Sequence, residues 1–227
     1  MTTERDERLR QVHAVRAQLQ TSGPARSRPL ENDFERVSVP AQDCDVLRDV
    51  LIAEGARAVI EIGFAYASSA LAIGEALLVT GGEVRHLIID PYQASSYASV
   101  GWQAMHAAGL DRHSAMIIEP SSIVLARLVS ERFVADATFI DGSHRFHEVL
   151  VDLYFLRKLV RPSGLVILDD AEWPSVATAL RYYDLNLGWA RVNLPGRLEA
   201  RRLPAEPFEP SFEDFKPFSS TESLSAG

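Results

Sequence analysis

Residues 58–69, AVIEIGFAYASS, place a short apolar run directly before a glycine and a second apolar stretch. The run at 58–62 is rich in β-branched residues and predicts a buried strand. Gly63 permits the tight turn that ends this strand. A helix is predicted from Ser68 to Val79, because Gly81-Gly82 follow and stop it. A strand, a tight turn and a helix in this order form the first half of a βαβ unit.

The same alternation continues along the chain. Further strands are predicted at 86–90, 114–119, 137–141 and 165–169, with helices at 96–108, 121–132, 146–160 and from 174 onward. Apolar strands that alternate with amphipathic helices indicate parallel pairing, with helices on both faces of the sheet. The segments 189–194 and 197–203 flank Pro195-Gly196 and predict an antiparallel hairpin. The predicted fold is a doubly wound, Rossmann-like α/β sheet.

Two segments flank this α/β domain. An amphipathic helix is predicted over residues 4–20, and its apolar face consists of Leu9, Val12, Val15 or Arg16, and Leu19. The predicted division is a helix and arm at 1–38, the α/β domain at 39–203 and a tail at 204–227. The tail is either disordered or extended and pinned by its phenylalanines, which are Phe208, Phe212, Phe215 and Phe218.

Charge and composition limit the partners. A net charge of −8 argues against nucleic acid, because proteins that neutralise phosphates carry an excess of positive charge. Cys44 is the one cysteine of the sequence, so a reducing, cytoplasmic setting is expected. The charged N-terminus lacks the apolar core of a signal peptide, and no apolar run reaches the ~18 residues that span a membrane. We expect a small-molecule partner, and the charged N-terminal helix could pack on a second subunit in a homodimer.

The turn after the first strand favours a nucleoside ligand. The Gly-x-Gly-x-x-Gly pattern of dinucleotide sites is absent, because Ala65 and Ala67 stand where such loops often carry glycine. A pyrophosphate needs several closely approaching amides, so a ligand without phosphate fits this turn better. Asp90 ends the second strand, where a carboxylate can accept hydrogen bonds from both ribose hydroxyls.

Acidic residues end all five of the predicted parallel strands: Glu61, Asp90, Glu119, Asp141 and Asp169-Asp170. Because neighbouring strand ends lie ~5 Å apart, the carboxylates of Asp141, Asp169 and Asp170 should repel one another unless a cation is present. Mg²⁺ with water ligands fits such a set. The alternative is that one acid caps a helix, one binds a cofactor and one is solvated. His144 is a candidate general base, although it could also be a solvated helix-start residue or a cofactor contact.

Five stretches of the chain resemble, in the same order, the small class I S-adenosylmethionine-dependent methyltransferases of bacterial secondary metabolism. They are EIGFAYASS at 61–69, IDPYQ at 89–93, FIDGSH at 139–144, LRKLVRPSG at 156–164 and LDDAEWPSV at 168–176. Macrolide and aminocoumarin sugar O-methyltransferases are similar, and catechol O-methyltransferases are more distant. The resemblance covers about residues 39–194 and implies a seven-stranded, mostly parallel sheet whose last strand is antiparallel.

The resemblance implies a role for each matching residue. The residues that would bind S-adenosylmethionine are Val39, Glu61, Gly63, Ala65, Ala67, Ser68, Ser69, Asp90, Tyr92, Ser121 and Asp141. The metal ligands would be Asp141, Asp169 and Asp170, and the metal would hold paired oxygens of the substrate. Methyl transfer in this family is in line, so the protein mainly aligns the nucleophile with the methyl carbon.

Two positions depart from the family. Ala67 stands where the family loop usually has glycine, and Ser143 stands where the sugar enzymes usually have the acid that is their proposed base. In the catechol-type enzymes a lysine base falls at the position of His144, so His144 is the predicted catalytic base.

The leading hypothesis is a metal-assisted O-methyltransferase for a small hydroxylated metabolite in natural-product biosynthesis. An N-methyltransferase or a metal-independent enzyme of the same fold is the main alternative. An NAD(P)-type oxidoreductase and a catalytically silent binding protein remain as further alternatives. The missing glycines disfavour the oxidoreductase, and Asp141, His144, Asp169 and Asp170 disfavour the silent protein.

Overall fold

The structure is a computed structural model that describes residues 3–24 and 33–217. The helices are α1 (Glu4–Ser22), α2 (Asp33–Val37), α3 (Ala41–Ala53), α4 (Ser68–Thr80), α5 (Val100–Ala107), α6 (Ser121–Ser130), α7 (Phe146–Leu159) and α8 (Pro174–Leu187). The strands are β1 (Ala58–Ile62), β2 (Arg85–Ile89), β3 (Ser114–Ile117), β4 (Ala135–Ile140), β5 (Val160–Leu168), β6 (Ala190–Val192) and β7 (Glu199–Arg202). Within the described ranges, no helix combines the length and the apolar character needed to cross a lipid bilayer.

The seven strands form one sheet in the order β3-β2-β1-β4-β5-β7-β6. β1 pairs in parallel with β2 on one side and β4 on the other, and β7 runs antiparallel to both β5 and β6. The predicted doubly wound sheet with an antiparallel final strand is confirmed. Because the strand order reverses at β1 and β4, their carboxyl ends flank the point at which such sheets bind ligands.

Helices cover both faces of the sheet, as strands without a polar face require. Ile60 and Ile140 pack on the side of α6, α7 and α8, whereas Val59 and Phe139 pack on the side of α3 and α4. These four side chains are at most 4 % exposed. Successive strand residues point to opposite faces, so each strand contributes to both halves of the core.

The N-terminal helix α1 docks on α4 through a mixed apolar and charged face. Val12 and Leu19 are buried between α1 and the domain, in agreement with the predicted helix face. The Arg16 guanidinium donates to Glu75 of α4 and, at 2.8 Å, to Asp45 of α3. A buried arginine needs such partners to offset its desolvation, so this network fixes α1 against two helices.

Two predicted boundaries, the starts of β5 and α5, differ from the structure by four residues or more, and the backbone explains both. The helix predicted to end at residue 160 ends at Leu159, and the strand predicted from residue 165 already begins at Val160. Residues 160–164 therefore belong to β5, whose pairing with β4 shifts register between Ala135 and Ala137. A bulge thus includes in the strand the residues that were predicted to form a separate turn. The helix predicted from residue 96 begins at Val100, because Ala98 and Ser99 have positive φ and cannot continue a helix backwards.

The described part of the tail, residues 204–217, lies on α8 through hydrogen bonds and a ring contact. The Asn186 side chain accepts a hydrogen bond from the Lys216 N–H at 2.8 Å and donates one to the Lys216 carbonyl at 3.1 Å. Phe212 is 91 % exposed, so the prediction that it pins the tail was wrong. Phe218 lies outside the described residues. Phe208 and Phe215 are about half exposed, and the Phe215 ring lies 6.4 Å from the Tyr182 ring of α8, so hydrogen bonds and partly buried rings together hold this segment.

Candidate active site

The turn after β1 packs directly against the turn after β4. Gly63 has φ +87°, and a Cβ atom there would overlap the Asp141 carbonyl oxygen and lie 2.5 Å from its carbonyl carbon. The Asp141 N–H donates to the Ile62 carbonyl at 2.8 Å, which locks the two turns together. Ala65 and Ala67 also have positive φ, at 42° and 72°. Such strained positions cluster at ligand sites, where the surrounding structure maintains them.

The first turn of α4 faces the same edge of the sheet. Its N-cap residue is Ala67, which provides no side-chain hydrogen bond to the helix. The N–H groups that open a helix have no partner within it, and they carry a partial positive charge. The N-terminus of α4 therefore suits a carboxylate such as that of a methionine moiety.

Asp90 holds the turn after β1 in shape. Its Oδ2 accepts hydrogen bonds from the N–H groups of Phe64 and Ala65 at 3.2 and 3.1 Å, and from the Gln93 side chain at 2.8 Å. Its Oδ1 accepts from the Tyr92 N–H at 2.8 Å. A ribose hydroxyl that binds Asp90 would share these oxygens with the turn, so ligand binding and turn shape are coupled through one carboxylate.

Glu61 lies fully buried beneath the same turn. Its Oε1 accepts a hydrogen bond from Ser69 Oγ at 2.6 Å, and its Oε2 lies 2.8 Å from His86 Nε2. His86 was not predicted as part of the site, because nothing in the sequence shows that β2 brings it beside a residue of β1. In this structure Glu61 supports the turn from below, through β2 and α4.

Asp141, His144 and Asp170 converge at the carboxyl edge of β4 and β5. His144 Nε2 lies 3.2 Å from Asp170 Oδ2 and 3.8 Å from Asp141 Oδ1. One ligand atom from each of these residues lies within 4.8 Å of the other two. The Trp173 ring stacks on the His144 ring with 5.3 Å between centroids. This acid cluster therefore holds an imidazole in a fixed orientation between two carboxylates.

Burial and mutual repulsion oppose ionisation of these acids. Burial raises the pKa of Asp141 well above its usual value, and the charges of Asp169 and Asp170 raise it further. Burial also raises the pKa of Asp169, although its hydrogen bond to Arg197 acts in the opposite direction. A bound cation would relieve both effects, since it stabilises the ionised carboxylates.

Asp169 borders this acid cluster, close enough to act on the Asp141 carboxylate, but it pairs with Arg197, in the loop between β6 and β7. The Arg197 Nη2 donates to Asp169 Oδ2 at 2.5 Å, and the Asp170 N–H donates to Asp169 Oδ1 at 2.9 Å. Arg197 Nε also lies 3.5 Å from Asp43 Oδ2 of α3. Arg197 and Asp43 were not predicted as part of the site, because the hairpin that brings Arg197 to both acids is a long-range feature of the fold.

Several other predicted residues lie apart from the acid cluster. Val39 is buried, and with Ser68 it lines a cavity of about 260 Å³ between α1, α2, α3 and α4. Tyr92 is 58 % exposed beside the turn after β1. Glu119 pairs with Arg127 at 2.9 Å on the surface of α6, so it does not join the acid cluster.

Ser121 begins α6 and hydrogen-bonds the buried Asp152 of α7, whose pKa burial raises to about 7. The folded state then retains a proton that the unfolded chain loses near pH 4, so stability falls as the pH rises from about 4 to about 7. Asp152→Asn removes this penalty and should gain ~3 kcal/mol relative to the original protein between pH 4 and pH 8. Urea unfolding at both pH values measures this gain. An equal difference at both pH values would show that the pKa of Asp152 is not raised in the folded state.

A family model matches the part of the chain that forms this site. Residues 60–171 match the family model described as a methyltransferase domain. The chain therefore contains a methyltransferase domain. The matched range of this methyltransferase contains the turn after β1, Asp90 and the acid cluster. A search of curated proteins found no match.

Solved structures share the fold of this methyltransferase. An O-methyltransferase from Bacillus cereus in complex with S-adenosylhomocysteine is 18 % identical, with a TM-score of 0.61 over 87 % of this chain and 91 % of that chain. TomG, an O-methyltransferase of tomaymycin synthesis from Streptomyces achromogenes, is 16 % identical, with a TM-score of 0.61 over 88 % and 90 %. CalS11, a TDP-rhamnose 3′-O-methyltransferase of calicheamicin biosynthesis, is 16 % identical, with a TM-score of 0.59 over 89 % and 96 %.

Proposed function

We propose that this methyltransferase transfers a methyl group to a hydroxyl oxygen of a small metabolite in natural-product biosynthesis. The observation that carries the proposal is the acid cluster of Asp141, His144 and Asp170 beside the turn after β1. Oxygen nucleophiles need a proton acceptor or a cation to become reactive, and this cluster offers groups for both. The O-methyltransferase activity of TomG and CalS11 supports the same reaction class.

The residues around the turn after β1 fit S-adenosylmethionine. Gly63 leaves no side chain between β1 and β4, and the N-terminus of α4 suits the carboxylate of the methionine moiety. Asp90 suits the ribose, and Ser121 at the start of α6 suits the adenine side. When bound, the cofactor supplies an electrophilic methyl group on a sulfonium, which is displaced in line. The chain itself then has to orient the acceptor oxygen and remove its proton.

His144 is the residue that we assign to proton removal. Its Nε2 faces the carboxylates of Asp141 and Asp170, which stabilise the imidazolium that forms when the acceptor proton arrives. Stacking on Trp173 fixes the ring plane. The His144 side chain is 29 % exposed, whereas its Nε2 is buried beside the two carboxylates, so an acceptor has to approach the exposed part of the ring.

A divalent cation also fits the acid cluster by the chemistry of its donors. Asp141 and Asp170 supply the oxygen ligands that Mg²⁺ prefers, and His144 adds a nitrogen that Mn²⁺ and later transition metals accept more readily. Such an ion would lower the pKa of a bound acceptor hydroxyl. A ligating His144 could not act as base at the same time, because its lone pair would be occupied.

Arg197 favours a second candidate, a metal-independent methyltransferase. Its guanidinium already neutralises Asp169, so the site carries one cation of its own. In that case His144 alone supplies the base, and divalent ions have no effect on the reaction.

Calorimetric titration with S-adenosylhomocysteine, with and without Mg²⁺, tests the proposal. We expect a Kd on the order of micromolar or tighter. A panel of hydroxylated acceptors, assayed by release of S-adenosylhomocysteine, then tests the transfer to oxygen, with matched amines as the control. A folded sample that does not bind S-adenosylhomocysteine would contradict the proposal, and methylation of the amines alone would replace it by N-methylation.

A further inference from the structure

We propose that Arg197 competes with a divalent cation for Asp169, so that a cation gains the third acid of the site only when Arg197 leaves. The inference rests on the proposed function, because it concerns the cation at the same acid cluster. Arg197 is thus a positioning residue that sets the cation affinity of the site.

Both oxygens of Asp169 are already hydrogen-bonded in a buried position. Its side chain is 1 % exposed, Oδ2 is bound by Arg197 and Oδ1 by the Asp170 N–H. A cation held by Asp141, His144 and Asp170 therefore finds Asp169 already paired with a positive group. A guanidinium and a metal ion cannot share one carboxylate oxygen at this distance without repelling each other.

Asp43 of α3 holds the hairpin at Arg197 through more than one contact. The Arg197 N–H donates to Asp43 Oδ1 at 3.3 Å, and its Nε lies 3.5 Å from Asp43 Oδ2. Gly196, with φ +77°, approaches Asp43 so closely that a Cβ atom would overlap Oδ1. This close approach fixes the backbone next to Arg197 against α3, so the fold itself brings the guanidinium to Asp169.

The Arg197 side chain is exposed enough to leave Asp169. This side chain is 41 % exposed, whereas its two acidic partners are at most 9 % exposed. A long side chain that already reaches solvent can swing outward while its charge remains hydrated. Asp169 cannot follow it, because the backbone of β5 and the Asp170 N–H hold it in place.

The test is Mn²⁺ binding, measured by electron paramagnetic resonance and calorimetry without cofactor or acceptor. Arg197→Met is expected to bind Mn²⁺ ~10-fold or more tightly than the original protein, because it releases Asp169 and removes a repelling charge. Arg197→Lys keeps the charge and should bind weakly, like the original. Arg191→Met is the matched control, since Arg191 lies in the same hairpin but pairs with Glu199 at 2.7 Å.

Equal Mn²⁺ affinity in Arg197→Met and the original protein would overturn the inference. Weaker binding in Arg197→Met would also overturn it, because Arg197 would then orient Asp169 for the cation. Absence of Mn²⁺ binding in every variant would do the same. Circular dichroism and S-adenosylhomocysteine affinity of each variant show separately whether the fold and the methyltransferase function are retained.

Discussion

Gly63→Ala is expected to abolish binding of S-adenosylhomocysteine and to destabilise the fold by ~3 kcal/mol. The new Cβ atom would meet the Asp141 carbonyl group, which is backbone and cannot rotate away. The φ of +87° adds strain for any residue with a side chain. To relieve the overlap, the turns after β1 and β4 must separate. The cofactor side of the site and the acid cluster would then be displaced together.

Gly81→Ala is the matched control for this variant. Gly81 has φ +72° at the end of α4, and a Cβ atom there would meet nothing within 4 Å. It should cost ~1 kcal/mol from backbone strain alone and leave ligand affinity unchanged. Thermal unfolding and calorimetry compare the two variants. Comparable affinities in both would show that the two turns can separate without loss of the ligand site.

The architecture was predictable because the same local pattern, an apolar strand followed by an amphipathic helix, recurs along the chain. A buried strand of about five apolar residues followed by an amphipathic helix has few solutions other than a parallel, two-faced sheet. Pro195-Gly196 marked the hairpin that turns β7 antiparallel. The errors fell on residues 160–164 and 96–99, where a bulge and positive φ values override the periodicity. Such backbone features depend on neighbouring strands and loops that are distant in sequence.

The convergence of Asp141 and Asp170 was predictable because parallel strands end at one edge. His144 follows from the same reasoning, since it lies one short turn after β4. The direction of each side chain was not predictable. Asp169 is adjacent to Asp170 in sequence, yet its carboxylate is directed to Arg197. Only the folded hairpin brings Arg197 to that edge, so no local pattern could reveal it.

The roles of Asp90 and Glu61 were also only partly predictable from the sequence. The sequence assigns both to a ligand, and in the structure both also support the turn after β1. A buried carboxylate needs hydrogen-bond donors whether or not a ligand is present. The turn supplies them through Phe64, Ala65 and Ser69. We therefore expect substitutions at these acids to change stability and ligand affinity together, which makes them poor probes of cofactor contact alone.

His144→Ala is expected to lower the methyl-transfer rate by ~10²-fold or more, with the affinity for S-adenosylhomocysteine unchanged. The reason is that His144 Nε2 is the nitrogen that faces both carboxylates of the acid cluster. His147→Ala is the matched control, because His147 is three residues later with a 74 % exposed side chain. Release of S-adenosylhomocysteine with the best acceptor of the panel measures both variants. Equal rates for His144→Ala and the original protein would leave His144 as a helix-start residue.

Two further measurements on His144→Ala separate a base from a metal ligand. If His144 accepts the proton, added imidazole should restore part of the rate, because removal of the ring leaves a space bounded by Trp173. Mn²⁺ affinity should then change little. If His144 binds the cation, Mn²⁺ affinity should fall ~10-fold or more and imidazole should not restore turnover. One nitrogen cannot serve both purposes at once, so the two results exclude each other and decide which chemistry the acid cluster performs.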